Sequence, residues 1–454
     1  MFPMRFASRI RAYVSRPAAI AALGAGAMLS CESGASHVDG PRGASAFSHY
    51  VVLGTGLSMG VQSGGVMYDS QVQAWPALLA HAAGAGFTFV ITDTIISGTN
   101  SFSIPFFRVP GCQPPLIAPL ELGVDLAGAS VAAPDTTCAG PLDFGSPPQN
   151  NLAIAGATAY AAMNFTPKFV HNSALGFSAV DRARYPLVLA STQSQVTALR
   201  IEGASLVSVE LGLSEVLGAA TSGLLVPATS YTQTASYTYV PAALFAPVFS
   251  AIADSVKLTG AKVVLVSVPK VSALYALRPA SELWADRAEL ATYGITVNAD
   301  CAASANFVFT PSRVPALAAA YSSTGTMQNL SCTDVPGTAD AILTPADLST
   351  LDGAVSQMNA QILQVAQTNG WAFADLTDVY PPPVSSRTPY AASDELTCAS
   401  PYGKFISLDG VFPNVNGQSA IASAVAGALD AKYGFTVTVG ATTPTGVASA
   451  KLCP

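Results

Sequence analysis

Two apolar runs of the chain are followed by hydroxyl side chains, and the second is also followed by a carboxyl group. Nucleophilic catalysis requires side chains of these types. The first run ends in a glycine-rich turn that carries Thr55 and Ser58. The second run ends just before Ser214 and Glu215. A serine or threonine attacks a carbonyl only when a base within hydrogen-bond reach takes its proton. The chemistry of these segments therefore depends on whether a base lies near them.

Histidine, the most common general base, is scarce in this chain. The sequence has four histidines: His37, His49, His81 and His171. In that order, they lie in a linker, before the first strand, on a helix and in a loop. These positions predict structural or solvent-facing roles. Glu215 is an alternative weak base, although we interpret it first as a helix cap. Thr55 and Ser58 are interpreted as helix-capping hydroxyls, and both are kept as candidate relocated nucleophiles.

Four segments of the chain, taken in order, carry a family resemblance. They are YVVLGTGLSMG (50–60), NLAIAGAT (151–158), LVSVELGLSEVLGAA (206–220) and SLDGVFPNVNG (407–417). Together they resemble the four sequence blocks of the SGNH (GDSL-like) esterases and lipases. The resemblance spans residues 50–417, roughly four fifths of the chain. It implies a three-layer α/β/α sandwich with a flavodoxin-like sheet.

The resemblance also places the family's site residues, and several are replaced. Gly56 stands at the position of the serine nucleophile, and Phe412 stands at that of the catalytic histidine. Ser214 replaces the asparagine of the third block. Gly156 matches the oxyanion-hole glycine, and Asp409 matches the acid that orients the histidine. Glycine cannot attack an ester and phenylalanine cannot accept a proton, so the resemblance implies an ester-hydrolase scaffold without its catalytic triad.

Three functions remain open on this basis. The first is a non-catalytic binding protein, or pseudoenzyme, for an acyl, glycan or peptide ligand. The second is an active serine esterase or lipase with a rearranged site at Ser58 or Ser214. The third is a structural protein of the cell envelope. We expect no cofactor and no metal, because the sequence has no zinc-ligand spacing and no phosphate-binding loop. A nucleic-acid partner is not expected, because the sequence has no basic stripe.

The amino-terminal residues have the features of a bacterial export signal. Residues 1–31 contain four arginines and no acid, followed by a short apolar run that ends in Met-Leu-Ser-Cys31. This pattern predicts a signal peptide, with a lipid anchor on Cys31 as one outcome and plain secretion or periplasmic release as the other. Removal of the segment changes the net charge from −7 to −11. An acidic, exported monomer is expected, with membrane contact only through that lipid.

The other six cysteines support export, because an even number of cysteines is typical of a disulfide-bonded secreted protein. We predict three bridges that are local in sequence, although other connectivities are open. The predicted bridges are Cys112–Cys138, Cys301–Cys332 and Cys398–Cys453.

Short apolar runs alternate with helical patterns, which predicts an α/β fold with a mainly parallel sheet. The predicted strands are 50–54, 87–91, 206–211, 263–268 and 371–376. Apolar residues at helical spacing predict helices around 244–256, 344–362 and 421–429, the second with its start at Thr344. A linker (32–48) precedes one domain (49–434). Its predicted insertions are 98–150, 272–343 and 377–405, and a tail (435–454) is predicted to add an edge strand.

Overall fold

The structure is a computed structural model. It describes residues 41–62, 66, 68–89, 149–172, 175, 177, 179–231, 237–381, 387–397 and 401–440. The predicted export signal, the linker up to residue 40 and most of the insertion 98–150 lie outside these residues. None of the helices within the described ranges is long and apolar enough to cross a membrane.

Nine strands are found in the described residues. They are β1 (Tyr50–Leu53), β2 (Leu206–Glu210), β3 (Lys262–Val266), β4 (Leu277–Pro279), β5 (Ile295–Val297), β6 (Phe307–Phe309), β7 (Gln328–Leu330), β8 (Ile342–Leu343) and β9 (Ala372–Ala374).

Fifteen α-helices accompany these strands in the described part of the chain. They are α1 (Gly56–Met59), α2 (Tyr68–Val72), α3 (Trp75–Ala82), α4 (Ala159–Asn164), α5 (Pro167–Val170), α6 (Ala179–Val188), α7 (Gln195–Glu202), α8 (Ser214–Ser222), α9 (Ala242–Lys257), α10 (Ala280–Ala285), α11 (Arg287–Thr292), α12 (Thr310–Thr324), α13 (Pro345–Asn369), α14 (Ala392–Leu396) and α15 (Val415–Tyr433).

The central sheet is parallel, with the strand order β1-β2-β3-β9. Every residue of β1 and β2 is buried, as expected for Val- and Leu-rich strands that are covered on both faces. The segment 150–154 runs along the free side of β1. There the Val52 N–H donates to the Asn150 carbonyl, and the Leu152 N–H donates to the Val52 carbonyl. The predicted α/β class and mainly parallel sheet are therefore confirmed.

One predicted strand is wrong in its described part. Residues 87–89 form no strand. Thr88 instead bonds to Asn150 through both its N–H and its hydroxyl, and its carbonyl accepts from the Asn151 N–H. The position beside β1 is taken by 150–154, and the Asn150 side chain also donates to the Tyr50 carbonyl of β1.

The helix predicted around 344–362 begins as the sequence predicts and extends to Asn369 as α13. The hydroxyl of Thr344 and the side chain of Asp347 cap each other's backbone N–H groups at the start of α13, and Gly370 ends that helix in the left-handed conformation. At the start of α15, Asn414 accepts from two backbone N–H groups. The apolar stripes of α9, α13 and α15 are buried in the main core.

The insertion 272–343 forms a separate small core. The antiparallel sheet β4-β6-β8 and the parallel pair β5-β7 build it, together with α10 to α12. The predicted bridge Cys301–Cys332 is present, with both cysteines fully buried. The pairs Cys112–Cys138 and Cys398–Cys453 lie outside the described residues.

The described ends of the chain meet at the amino edge of the central sheet. The Arg42 N–H donates to the Thr436 hydroxyl, and the Thr436 N–H donates to the Arg42 carbonyl. Phe435 packs on Phe47, just before β1. The predicted edge strand is absent from 434–440, because this segment pairs with a loop and not with a strand.

Candidate functional site

The turn after β1 is closed so tightly that a glycine is required. A Cβ atom on Gly54 would lie 2.5 Å from the Ser58 Oγ and 2.6 Å from the Ser58 Cβ. Gly56 opens the short helix α1 directly after Thr55. The turn therefore folds the start of α1 back onto the end of the strand.

A buried carboxylate holds this turn in place. Glu210, the last residue of β2, accepts from the Thr55 N–H at 3.0 Å, from the Thr55 hydroxyl at 2.8 Å and from the Ser58 hydroxyl at 2.9 Å. Only 3% of its surface is exposed. These three donors satisfy the carboxyl oxygens, and a buried polar group needs such partners because its burial otherwise costs free energy.

The interpretation of Thr55 and Ser58 as helix-capping hydroxyls is wrong. Thr55 occupies the N-cap position of α1, but its side chain makes no capping hydrogen bond. Both hydroxyls donate to Glu210 instead, because the neighbouring strand ends with its carboxylate beneath the turn. Ser58 is fully buried. Its hydroxyl faces an acid inside the core.

The second segment is bonded to the first. The Ile154 N–H donates to the Gly54 carbonyl at 3.1 Å, and the Asn151 side chain donates to the Ser58 carbonyl at 2.9 Å. Gly156 follows in the left-handed conformation (φ 74°) and is half-buried. The turn and the segment 150–154 thus form one hydrogen-bonded unit at the carboxyl end of β1.

The third segment places its acid against the second. Glu215 is fully buried, and it accepts from the Ala159 N–H at the start of α4 at 2.6 Å and from the Tyr231 hydroxyl at 2.5 Å. Burial first and the Glu215 carboxylate second raise the pKa of Tyr231 well above its usual value. Ser214 is half-buried at the start of α8. Glu215 therefore joins α8 to α4.

The fourth segment is a tight loop built around Asp409. This fully buried carboxylate accepts from the Val411 N–H at 2.8 Å, the Phe412 N–H at 2.7 Å and the Ser407 hydroxyl at 2.8 Å. Phe412 is itself fully buried. The Tyr380 hydroxyl donates to the Val411 carbonyl. Asp409 thus stabilises its own loop, and these donors, not an imidazole, are the hydrogen-bond partners of its carboxyl oxygens.

A glutamine connects the fourth segment to the first. Gln418, in the first turn of α15, donates to the Leu57 carbonyl at 3.2 Å and accepts from the Trp75 N–H at 2.8 Å. The first three segments are thus linked directly by hydrogen bonds near the carboxyl ends of β1 and β2, and the fourth is linked to the first through Gln418, the residue that follows it. We call this group the four-segment site.

The described histidines lie elsewhere. His49 ends the helical turn that precedes β1, at the opposite edge of the sheet. His81 is an exposed residue near the end of α3. His171 follows α5, and its Nδ1 lies 2.9 Å from the Pro167 carbonyl. His37 lies outside the described residues. No described histidine is hydrogen-bonded within the four-segment site.

Glu210 was not among the site residues predicted from the sequence. The residue closes the run Leu-Val-Ser-Val-Glu, and it is the one charged residue of that strand. A charge at the carboxyl end of an otherwise apolar parallel strand was the available signal, because such ends border the binding crevice of open α/β sheets.

Comparison with family models, curated proteins and solved structures found no match.

Proposed function

We propose that this chain is an exported protein of the SGNH type whose catalytic triad is lost and whose role is binding. The observation that carries the proposal is the four-segment site. It brings together the segments that resemble the family's blocks. In that resemblance Gly56 stands at the nucleophile position and Phe412, which is fully buried, stands at the base position. A site without nucleophile and base can hold a ligand but has no means of forming an acyl-enzyme.

The strand order supports the finer fold proposal. With 150–154 counted as a strand, the order along the sheet is 150–154, β1, β2, β3, β9. This corresponds to the 2-1-3-4-5 order of flavodoxin-like sheets, in which ligands bind at the carboxyl edge. Contacts of α3 with α15, and of α7 and α13 with α9, are consistent with helices on two faces.

The burial of Ser58 argues against the esterase alternative. A nucleophilic serine needs an exposed hydroxyl and a base that can take its proton. The Ser58 hydroxyl is fully buried and donates to Glu210. Ser214, half-buried at the start of α8, is the remaining candidate for a rearranged site.

The proposal is tested with a fluorophosphonate probe and with short and long p-nitrophenyl esters. We expect no labelled serine and hydrolysis at background. Labelling of Ser58 or Ser214 together with turnover near ~1–10³ s⁻¹ would instead establish an active esterase. Analysis of lipid or glycan that co-purifies with the protein supplies a readout for binding.

Restoring the triad gives a sharper prediction. We expect Gly56→Ser with Phe412→His to produce the first measurable ester hydrolysis, because Asp409 and Gly156 remain in place. Each single change is expected to stay at background, since triad members act as a unit. Addition of Ser214→Asn should raise the rate further, by about 10²–10³ for one oxyanion donor.

The matched control is Gly56→Ala with Phe412→His, which has the base but no nucleophile. Circular dichroism and thermal unfolding check that each variant is folded, because the change at the buried Phe412 places a polar ring in the core. A folded double variant that remains as inactive as this control would show that the four segments are not the family's blocks.

A further inference from the structure

A small pocket lies beside the four-segment site, at the same edge of the central sheet. The loops that follow β3 and β9 enclose a cavity of about 230 Å³. Val268 in its wall fills the space where Gly212 lacks a side chain, and Tyr380 in its wall bonds to the Val411 carbonyl. The pocket therefore borders both the third and the fourth segments.

The first wall of the pocket is held rigidly by α13. The Val268 N–H donates to the Asn359 side chain at 2.7 Å, and that side chain donates back to the Val268 carbonyl at 2.9 Å. The Ser272 N–H donates to Asp352 at 3.1 Å. A wall fixed in this way loses little freedom when a ligand binds.

The second wall is tied to the first through one serine. Ser267 donates to Asp375 at 3.3 Å and accepts from the Leu376 N–H at 2.7 Å. Asp375 also accepts from the Thr377 N–H at 2.9 Å. One carboxylate oxygen of Asp375, Oδ1, therefore links the two loops.

Two opposite charges on the rim of the pocket have no partner in the described part of the chain. Lys270 and Asp378 both line the cavity and both are exposed. No hydrogen bond or ion pair joins either side chain to a described residue, and the two do not pair with each other. Asp378 holds a left-handed backbone conformation (φ 63°), which aspartate tolerates better than most residues.

We propose that this pocket binds a free aliphatic amino acid, with its carboxylate on Lys270 and its ammonium group on Asp378. Val268, Leu376 and Ala273 supply an apolar surface for its side chain. The volume lies below the roughly 300–1,000 Å³ of drug-sized ligand sites, which favours a single small molecule over a polymer. The inference goes beyond the proposed function, because the pocket lies beside the four-segment site and not within it.

Calorimetric titration of the purified chain with L-leucine tests the inference. Two matched probes each lack one charge: 4-methylpentanoate has no ammonium group, and 3-methylbutylamine has no carboxylate. We expect leucine to bind, and each probe to bind at least about tenfold more weakly. The reason is that one charge-assisted hydrogen bond usually contributes more binding free energy than a tenfold change in Kd represents.

Variants of Lys270 and Asp378 test which side chain binds which charged group of leucine. Lys270→Met and Asp378→Asn should each weaken leucine binding by about tenfold or more, and Asp378→Asn should leave 4-methylpentanoate binding unchanged. Lys257→Met, at the end of α9 near the amino edge, and Asp430→Asn on α15 are the matched controls and should have no effect. Thermal unfolding confirms that all four variants fold.

The inference is overturned if leucine does not bind at millimolar concentration, or if 4-methylpentanoate binds as tightly as leucine and neither variant changes leucine binding. Either result leaves the proposed function standing as long as no serine is labelled. Serine labelling with ester turnover would overturn the proposed function instead, and the leucine titration would still decide the fate of the pocket.

Discussion

Glu210 organises the turn at the centre of the candidate site. Its carboxylate gathers a backbone N–H and a hydroxyl from Thr55 and a second hydroxyl from Ser58, all within 3.0 Å. The carboxylate lies in the core, where a lost donor is not replaced by bulk water. Each of these hydroxyls therefore contributes more to stability than it would at the surface.

Replacement of Ser58 by alanine is expected to lower the free energy of unfolding by about 1–3 kcal/mol, because it removes a donor from a buried carboxylate. Urea denaturation measures the change as a lower midpoint with an unchanged m value. Ser191→Ala, an exposed position, is the control and should stay within about 0.5 kcal/mol of the parent. Equal midpoints for the two variants would contradict the structural role of Ser58.

At the scale of elements, the space around a glycine differs between tightly packed turns and exposed helix faces. Gly54 lies where β1 turns into α1 and has the Ser58 side chain against it. Gly427 lies on the exposed face of α15, and a Cβ atom there would meet nothing within 4 Å. The same chemical change at these two positions should therefore have opposite effects.

We expect Gly54→Ala to destabilise the protein by about 1–3 kcal/mol through overpacking. Gly427→Ala should stabilise it by about 0.4–1 kcal/mol, because alanine restricts the unfolded chain and favours the helix. Thermal unfolding of both variants measures the two signs. A stabilising Gly54→Ala would mean that the turn has room that the structure does not show.

The disulfide belongs to the insertion and not to the central sheet. It links Cys301 to Cys332, next to the β5-β7 pair, across a sequence separation of 31 residues. Replacement of both cysteines by alanine should cost roughly 3–4 kcal/mol by the chain-entropy relation. Hydrogen exchange is expected to show lost protection in β5 and β7, with β1 and β2 less affected. Uniform loss across both regions would show that the insertion unfolds only with the core.

The elements that the sequence predicted best are those with long and regular patterns. The apolar stripes of α9, α13 and α15 repeat over several helical turns, which outweighs local exceptions. The segment 87–91 was misassigned because a short apolar run has no period that separates a strand from an extended loop.

Site contacts were harder to predict than elements. Glu210 meets Ser58 across 152 residues of sequence, and no local pattern encodes a contact of that kind. The residue types of the four segments suggested a shared site, whereas the hydrogen bonds that hold it required the fold.

At the scale of the whole molecule, a buried polar cluster joins the insertion 272–343 to the insertion 377–405. Glu395 on α14 accepts from the Tyr402 hydroxyl at 3.0 Å, and that hydroxyl also lies 3.0 Å from the Thr310 hydroxyl. The fully buried Arg278 lies 5.6 Å from the Tyr402 ring. Burial, partly offset by these hydrogen bonds and by Arg278, raises the pKa of Glu395 from 4.5 to about 7.

The raised pKa predicts a stability that falls as pH rises. Between pH 4.5 and about 7 the folded state keeps the proton on Glu395 while the unfolded state releases it. The contribution is therefore fully present below the unfolded pKa and lost as pH rises through the folded pKa. At about 1.4 kcal/mol per pKa unit, the loss amounts to roughly 3 kcal/mol at most.

Glu395→Gln, which mimics the neutral acid, should remove this dependence. Its stability relative to the parent is expected to increase from pH 4.5 to 7 and then to level off. Denaturation at a series of pH values measures the difference, with Asp394→Asn on the same helix as a control that should change less. A constant difference for Glu395→Gln across this range would contradict the prediction.

The pairing of Arg42 with Thr436 has a geometric consequence for attachment. Whatever precedes residue 41 or follows residue 440 joins the fold at one place, the amino edge of the sheet, whereas Gly54 and Glu210 mark the other edge. A chain shortened to the described residues could be joined by a short peptide between the segments that carry Arg42 and Thr436, and reopened in a surface loop. A tether or fused protein on either side would therefore be attached at the amino edge of the sheet, opposite the edge that carries the candidate site.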